Sequence, residues 1–141
     1  MIQRIQTIYL LAVAILQTVM LFSNQAYAIN EENGVNEVAI SLAQNWQWAI
    51  LTGLTALIPL ITIFLFRKRR LQIRFSIINS LFLLTLQIIV VHTLMQIAKE
   101  YDTIIYSISD ISPAISLILT ILAIRFIFKD EVKIRAYNRI R

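Results

Sequence analysis

The sequence predicts an all-α integral membrane protein: a four-helix bundle with both termini inside and a short helical cytoplasmic extension at its C-terminus. Three observations predict it. Of the 141 residues, 58% are hydrophobic and 15% charged, whereas soluble domains are about 45–50% apolar and about 25% charged. A soluble chain this short has too little interior to hide so much apolar surface. Four stretches are long and apolar enough to cross about 30 Å of hydrocarbon at 1.5 Å per residue. Finally, the basic and acidic residues alternate between the segments that join those stretches.

The chain reads as one domain, residues 1–141. The first span, residues 5–23, is carried by "IQTIYLLAVAILQTVMLF". A competing reading takes Arg4, this stretch and "AYA" at 26–28 as a secretory signal peptide cleaved after Ala28. An outer loop over 24–45 follows, acidic and too short for a core of its own. Within it "NEENG" reads as a turn, and "VNEVAISLAQNW" as a short amphipathic helix leading into the second span, 46–66. The inner loop, 67–74, is "RKRRLQIR", with five positive charges in eight residues. The third span is 75–97, and a second outer loop covers 98–109. The fourth span, 110–128, opens with Ser112 as N-cap, Pro113 at the first helical position, and Asp110 where a carboxylate suits the helix dipole. The inner tail is 129–141, where Glu131 and Arg135 stand four apart and Val132, Ala136 and Ile140 make a thin apolar stripe; the fourth helix is expected to continue through it. No segment alternates with period two for long, which argues against a transmembrane barrel.

Charge sets the orientation. With both termini inside, twelve of the thirteen basic residues are cytoplasmic and only Lys99 is outside. Six of the eight acidic residues are outside, with Asp130 and Glu131 inside. Basic residues flanking spans in short loops are the orientation signal. The net charge of +5 is therefore read as a topogenic anchor on anionic lipid headgroups rather than as a nucleic-acid footprint, and no direct DNA binding is expected. The candidate headgroup or partner contacts are Arg67, Lys68, Arg69, Arg70, Arg74, Lys129, Lys133, Arg135, Arg139 and Arg141. Arg125, inside the fourth span, is expected to snorkel to the inner interface. Trp46, Trp48, Tyr101 and Tyr106 fall at the outer interface and Tyr9 at the inner one, as an aromatic belt.

Polar residues within spans are the candidate sites, because they are costly there. Gln17, Asn79, Gln87 and His92 stand out, and interhelical hydrogen bonds are their expected role. His92, the only histidine, cannot assemble a metal site alone. The chain has no cysteine, so disulfides, thiolate zinc sites and cysteine nucleophiles are excluded. Ser80 and His92 are twelve residues apart, about 18 Å along one helix, too far for a nucleophile–base pair. Two glycines, Gly34 and Gly53, cannot build a phosphate loop. No catalytic residue, cofactor or metal is expected, and the chain reads as a non-enzyme. Arg4 precedes Gln17, and Arg74 precedes Gln87, by thirteen residues, and Pro59 and Pro113 sit in spans two and four, a faint echo of tandem helical hairpins.

Three stretches, "MIQRIQTIYLL", "LFRKRRLQIRFSIIN" and "LAIRFIFKDEVKIRAYNRIR", resemble a family of small four-pass inner-membrane proteins of the Bacteroidetes, catalogued only as a domain of unknown function. The likeness covers essentially the whole chain and implies a four-helix architecture in the inner membrane. It implies no catalytic residue, cofactor or substrate. By elimination, the expected role is an accessory or structural subunit of a larger inner-membrane complex. It would contact other integral membrane proteins and present its basic face to a ribosome or protein-export channel. The rival expectation is a small oligomeric transporter or channel with a polar path through Gln17, Thr55, Thr62 and Gln87.

Overall fold

The computed structural model describes residues 3–24, 26–29, 38–40, 45–66, 68–100 and 103–139. In order, the elements are α1 (Gln3–Phe22), β1 (Ala26–Ile29), β2 (Val38–Ile40), α2 (Trp46–Phe64), α3 (Arg69–Glu100), β3 (Thr103–Tyr106), a 3-10 turn (Ile108–Ile111) and α4 (Ser112–Arg139). Each helix packs mainly against two others, α1 against α2 and α4, and α3 against α2 and α4. The helices thus form a ring in chain order, each antiparallel to the next, as the short α2–α3 link favours for that pair.

Each helix buries one stripe at spacings of three and four. On α1 it is Gln6, Leu10, Val13, Gln17 and Met20; on α2, Thr52, Thr55, Pro59 and Thr62. On α3 it is Gln72, Ser76, Asn79, Leu83, Leu86 and Val90; on α4, Ser112, Ser116, Thr120, Ala123, Ile127 and Asp130. That spacing keeps one seam facing the neighbours. Its chemistry is inverted relative to a soluble bundle. The buried stripes are rich in amides and hydroxyls, while Ile15, Val19, Leu57, Phe64, Leu81, Ile88, Ile118 and Phe128 point outward, each more than half exposed. In water such a surface would be untenable. In lipid it costs nothing, and small or polar groups are what draw helices together.

Pro59 lies inside α2 and is buried. It has no N–H to give the Thr55 carbonyl one turn back. The hydroxyls of Thr52, Thr55 and Thr62 lie close by, donating to the carbonyls of Trp48, Thr52 and Ile58 at 2.7–2.9 Å. In a membrane helix, such side-chain bonds help accommodate a proline.

Three sequence expectations change here. First, α3 starts at Arg69 rather than at 75, so most of "RKRRLQIR" is helix and the link from α2 is short, closed by Lys68 N–H on Leu65 O at 2.9 Å. Arg, Leu and Gln are good helix formers with no breaker among them. Gln72 also docks back, donating to Thr62 O at 2.9 Å. Second, the outer segments are not plain loops: β1 is the centre of a three-stranded antiparallel sheet of order β2-β1-β3. Residues 38–40, expected in an amphipathic helix, are extended, whereas "NEENG" lies outside the described residues. Third, the entry to α4 is capped before Ser112. Ser107 Oγ accepts from Ser109 N–H, and Asp110 accepts from Ser107 N–H at 3.3 Å, a reciprocal box around the 3-10 turn. Ser109 Oγ then donates to Asn24 O at 3.3 Å, tying this entry to the exit of α1.

The bond after Ala28, the cleavage point of the signal-peptide reading, lies within β1. Cleavage there would cut the central strand and remove α1 from both of its neighbours.

Candidate functional site

At mid-bundle one polar contact joins three helices. Gln17 is 0% exposed. Its Nε2 donates to Ser116 Oγ on α4 at 2.9 Å, and its Oε1 accepts from Thr55 Oγ1 on α2 at 3.3 Å. The Thr55 hydroxyl hydrogen is shared with Thr52 O, the closer acceptor at 2.7 Å. Thr120 donates to Ser116 O at 2.7 Å, holding the seryl turn. Gln17 therefore makes the interhelical bonds expected of it.

Asn79 and Gln87 do not. Asn79 is buried, yet among the described residues neither its Nδ2 nor its Oδ1 has a partner, and Gln87 Oε1 is likewise buried and unbonded. His92, for which a buried or interfacial hydrogen bond is expected, is exposed on α3. Of the rival polar path, Gln17 and Thr55 meet. Thr62 lies about 10 Å further along α2 and bonds its own helix through Ile58 O. Among the described residues no three His, Asp or Glu side chains come together.

The opposite end from the sheet gathers the N-terminus of α1, the α2–α3 link and the C-terminal part of α4, and with them the basic residues. Here Gln6 Nε2 donates to Asp130 Oδ2 at 2.7 Å, with both residues buried. Arg70 pairs with Glu131 at 3.3 Å, joining α3 to α4. The Arg70 side chain is 76% exposed, so this pair contributes only about 0.2–1 kcal/mol. Lys68, Arg74, Lys129 and Lys133 are exposed beside it, while Arg69 is half-buried. Arg67 and Arg141 lie outside the described residues. Arg135 and Arg139 are placed by the backbone of α4 alone, so the predicted Glu131–Arg135 contact also falls outside them.

Sequence reasoning missed Gln6 and Asp130, although a signal was present. Gln6 and Gln17 are eleven residues apart, about three helical turns, and so share a face. Replacing Gln6 by leucine is expected to destabilise the bundle by about 1–3 kcal/mol, because the buried Asp130 carboxylate loses a close donor. Glutamate at the same position should cost more, through like-charge repulsion. Thermal unfolding in detergent, followed by helical circular dichroism, checks both.

Tyr9 stacks on Phe126 with ring centroids 5.8 Å apart, so it bridges α1 and α4 as well as lying near the inner end. Trp46 is exposed, whereas Trp48 packs with Leu51 and Leu94 on a tight cluster of Met20, Leu86 and Val90.

Four helices long and apolar enough to cross a membrane, ringed around a polar seam, define the class: a small multi-pass membrane protein. The chain belongs to the family described as domain of unknown function DUF4293, whose model matches residues 2–140. No curated protein and no solved structure matches it.

Proposed function

We propose that this protein is a non-enzymatic accessory subunit of a larger inner-membrane assembly, oriented with both termini inside and docked through its basic end. The observation that carries the reading is how the carboxylates at that end are engaged. Asp130 is held by Gln6 and Glu131 by Arg70. Lys68, Arg74, Lys129 and Lys133 stay exposed, with no ion pair to another described residue. A cationic face with its local counter-charges already engaged attracts anionic lipid headgroups, at about 1 kcal/mol per basic residue near the surface. A phosphate-rich or acidic macromolecular partner, such as a ribosome at an export channel, is the sharper form of the same proposal.

Purification in a gentle detergent followed by mass spectrometry tests it. A stable hetero-complex is expected. Reversing Lys129, Lys133, Arg135 and Arg139 to glutamate should release the partner while the protein still inserts. Retention of every partner by the reversed variant rules out docking through this face. The contact between Gln17 and Thr55 favours a second reading, a homo-oligomeric transporter. A homo-oligomer that supports solute flux in liposomes would decide for it.

A further inference from the structure

The sheet leaves β3 open along one side. In the order β2-β1-β3, β1 bonds on both sides, while β3 (Thr103–Tyr106) is an edge strand bonded to β1 alone. Alternate residues of an antiparallel strand turn their N–H and C=O groups away from the neighbour they pair with. Among the described residues no backbone group meets those of β3. Edge strands are commonly blunted by lysine, proline or a bulge. "TIIY" has none of these: it is β-branched and aromatic, and it pairs with β1 residue for residue.

The faces of the sheet fix its tilt. Cross-strand partners share a face, and successive pairs alternate. Ala26 and Tyr106 are one pair, Tyr27 and Ile105 the next. Ala26 is 0% exposed, so its face lies against the bundle, whereas Ile105, on the opposite face, is 52% exposed. The sheet therefore lies across the end of the bundle, with its plane parallel to the membrane. Tyr106 is on the bundle side with Ala26, yet it is 60% exposed, and Ile108 just beyond it is 89% exposed. β3 thus overhangs the rim of the bundle, where a neighbour in the same membrane reaches its edge.

We infer that β3 joins β3 of a second copy of this chain, edge to edge and antiparallel, so that one continuous sheet spans a dimer. The membrane selects this occupant. Two copies inserted the same way are related by rotation about the membrane normal, whichever end faces out. That axis is perpendicular to the sheet, so a two-fold rotation sets the two β3 edges antiparallel and keeps each face on its own side. A residue on the axis then meets its own copy. Ile105 is the residue near the centre of β3 whose side chain lies on the open face, so pairing there brings two isoleucines together clear of the bundles. Strand addition of this kind takes its affinity from main-chain hydrogen bonds. Both basic ends stay free in such a dimer, so it goes beyond the docking proposed above and does not depend on it.

Disulfide trapping in the membrane tests the dimer, since the chain has no native cysteine. The full chain carries one cysteine at a time and is oxidised with copper phenanthroline. Ile105→Cys should form a disulfide-linked dimer in high yield, because directly opposed residues have Cα atoms about 4.5–5.5 Å apart, within disulfide reach. Tyr27→Cys lies on the same face, one strand further back in each copy. At about 4.8 Å per strand spacing its two copies are about 14 Å apart, so it should stay monomeric. Ile108→Cys, exposed beyond the strand, reports random collision. A dimer yield there as high as at Ile105→Cys overturns the proposal, as does an Ile105→Cys chain that stays monomeric or links to a different protein instead. Light scattering of the native sequence in gentle detergent gives an independent reading, with a dimer mass expected. Ile105→Lys puts a charge on the edge and should reduce that mass to the monomer while helical circular dichroism is unchanged. A monomeric native chain, or an Ile105→Lys chain that remains dimeric, rules out pairing through β3.

Discussion

Gln17→Ala is expected to lower the stability of the bundle by about 2–4 kcal/mol, the largest effect of any neutral substitution in the interior. Two costs combine. Removing a fully buried side chain leaves a cavity, and large-to-alanine changes in well-packed interiors cost about 2–5 kcal/mol. The two interhelical bonds, to Ser116 and from Thr55, are lost as well; in membrane bundles such bonds average about 0.6 kcal/mol and reach about 1.7. Gln17→Leu separates the terms. It fills the volume but makes neither bond, so it should cost only about 1–2 kcal/mol. Unfolding in mixed micelles with increasing denaturing detergent gives both numbers. A double-mutant cycle with Ser116→Ala then isolates the α1–α4 bond, with an expected coupling of about 0.5–1.5 kcal/mol. If Gln17→Ala and wild type unfold within about 0.5 kcal/mol of each other, the mid-bundle contact does not hold the ring together.

How much of this was legible in the sequence depends on which signal lipid preserves. The four helices were, because about twenty consecutive apolar residues identify a span whatever it packs against. Their facing sides were not, because the usual reading looks for an apolar stripe on a polar helix. Here the stripe is polar on an apolar helix: Gln6 and Gln17 on α1, Ser112, Ser116 and Thr120 on α4. Reading hydroxyls and amides at spacings of three and four recovers it. Gln17 reads as an interhelical contact because a mid-span amide needs a partner. Asn79 and Gln87 look identical to it in sequence but end with unbonded atoms. Only the packing decides which amide meets a hydroxyl and which meets none.

The sheet was hidden for a different reason. "TIIY" at 103–106 is β-branched and aromatic, an ordinary strand signal, but next to apolar spans it merges into their hydrophobicity. "AYAI" at 26–29 was equally ambiguous, since small residues after an apolar run also imitate a cleavage site. The strands become evident only when α1 and α4 are antiparallel neighbours, which brings β1 beside β3. Likewise five charges in eight residues read as a loop, whereas their side chains are compatible with a helix whose first turns emerge from the lipid.

Cysteine labelling is expected to give a near all-or-none result for orientation. The chain has no native cysteine, so a single introduced thiol reports without background. In intact cells, a membrane-impermeant thiol reagent should modify Asn45→Cys, an exposed site at the sheet end, and leave Lys68→Cys and Arg70→Cys unmodified until the membrane is opened. Gln72, centrally placed in the basic segment, is a poor reporter because it is buried against Thr62 O and would stay unlabelled in either orientation. Exposed probes avoid that confusion. The expectation rests on the short α2–α3 link and the end of α4, which bring nearly all the positive charge to one end of the ring. Basic residues flanking spans resist translocation, so the end carrying them is expected to stay cytoplasmic and the sheet end, with Glu31, Glu32 and Glu37 in the connection, to face out. Labelling of Lys68→Cys in intact cells, with Asn45→Cys protected, would invert the molecule and take the basic docking face away from any cytoplasmic partner.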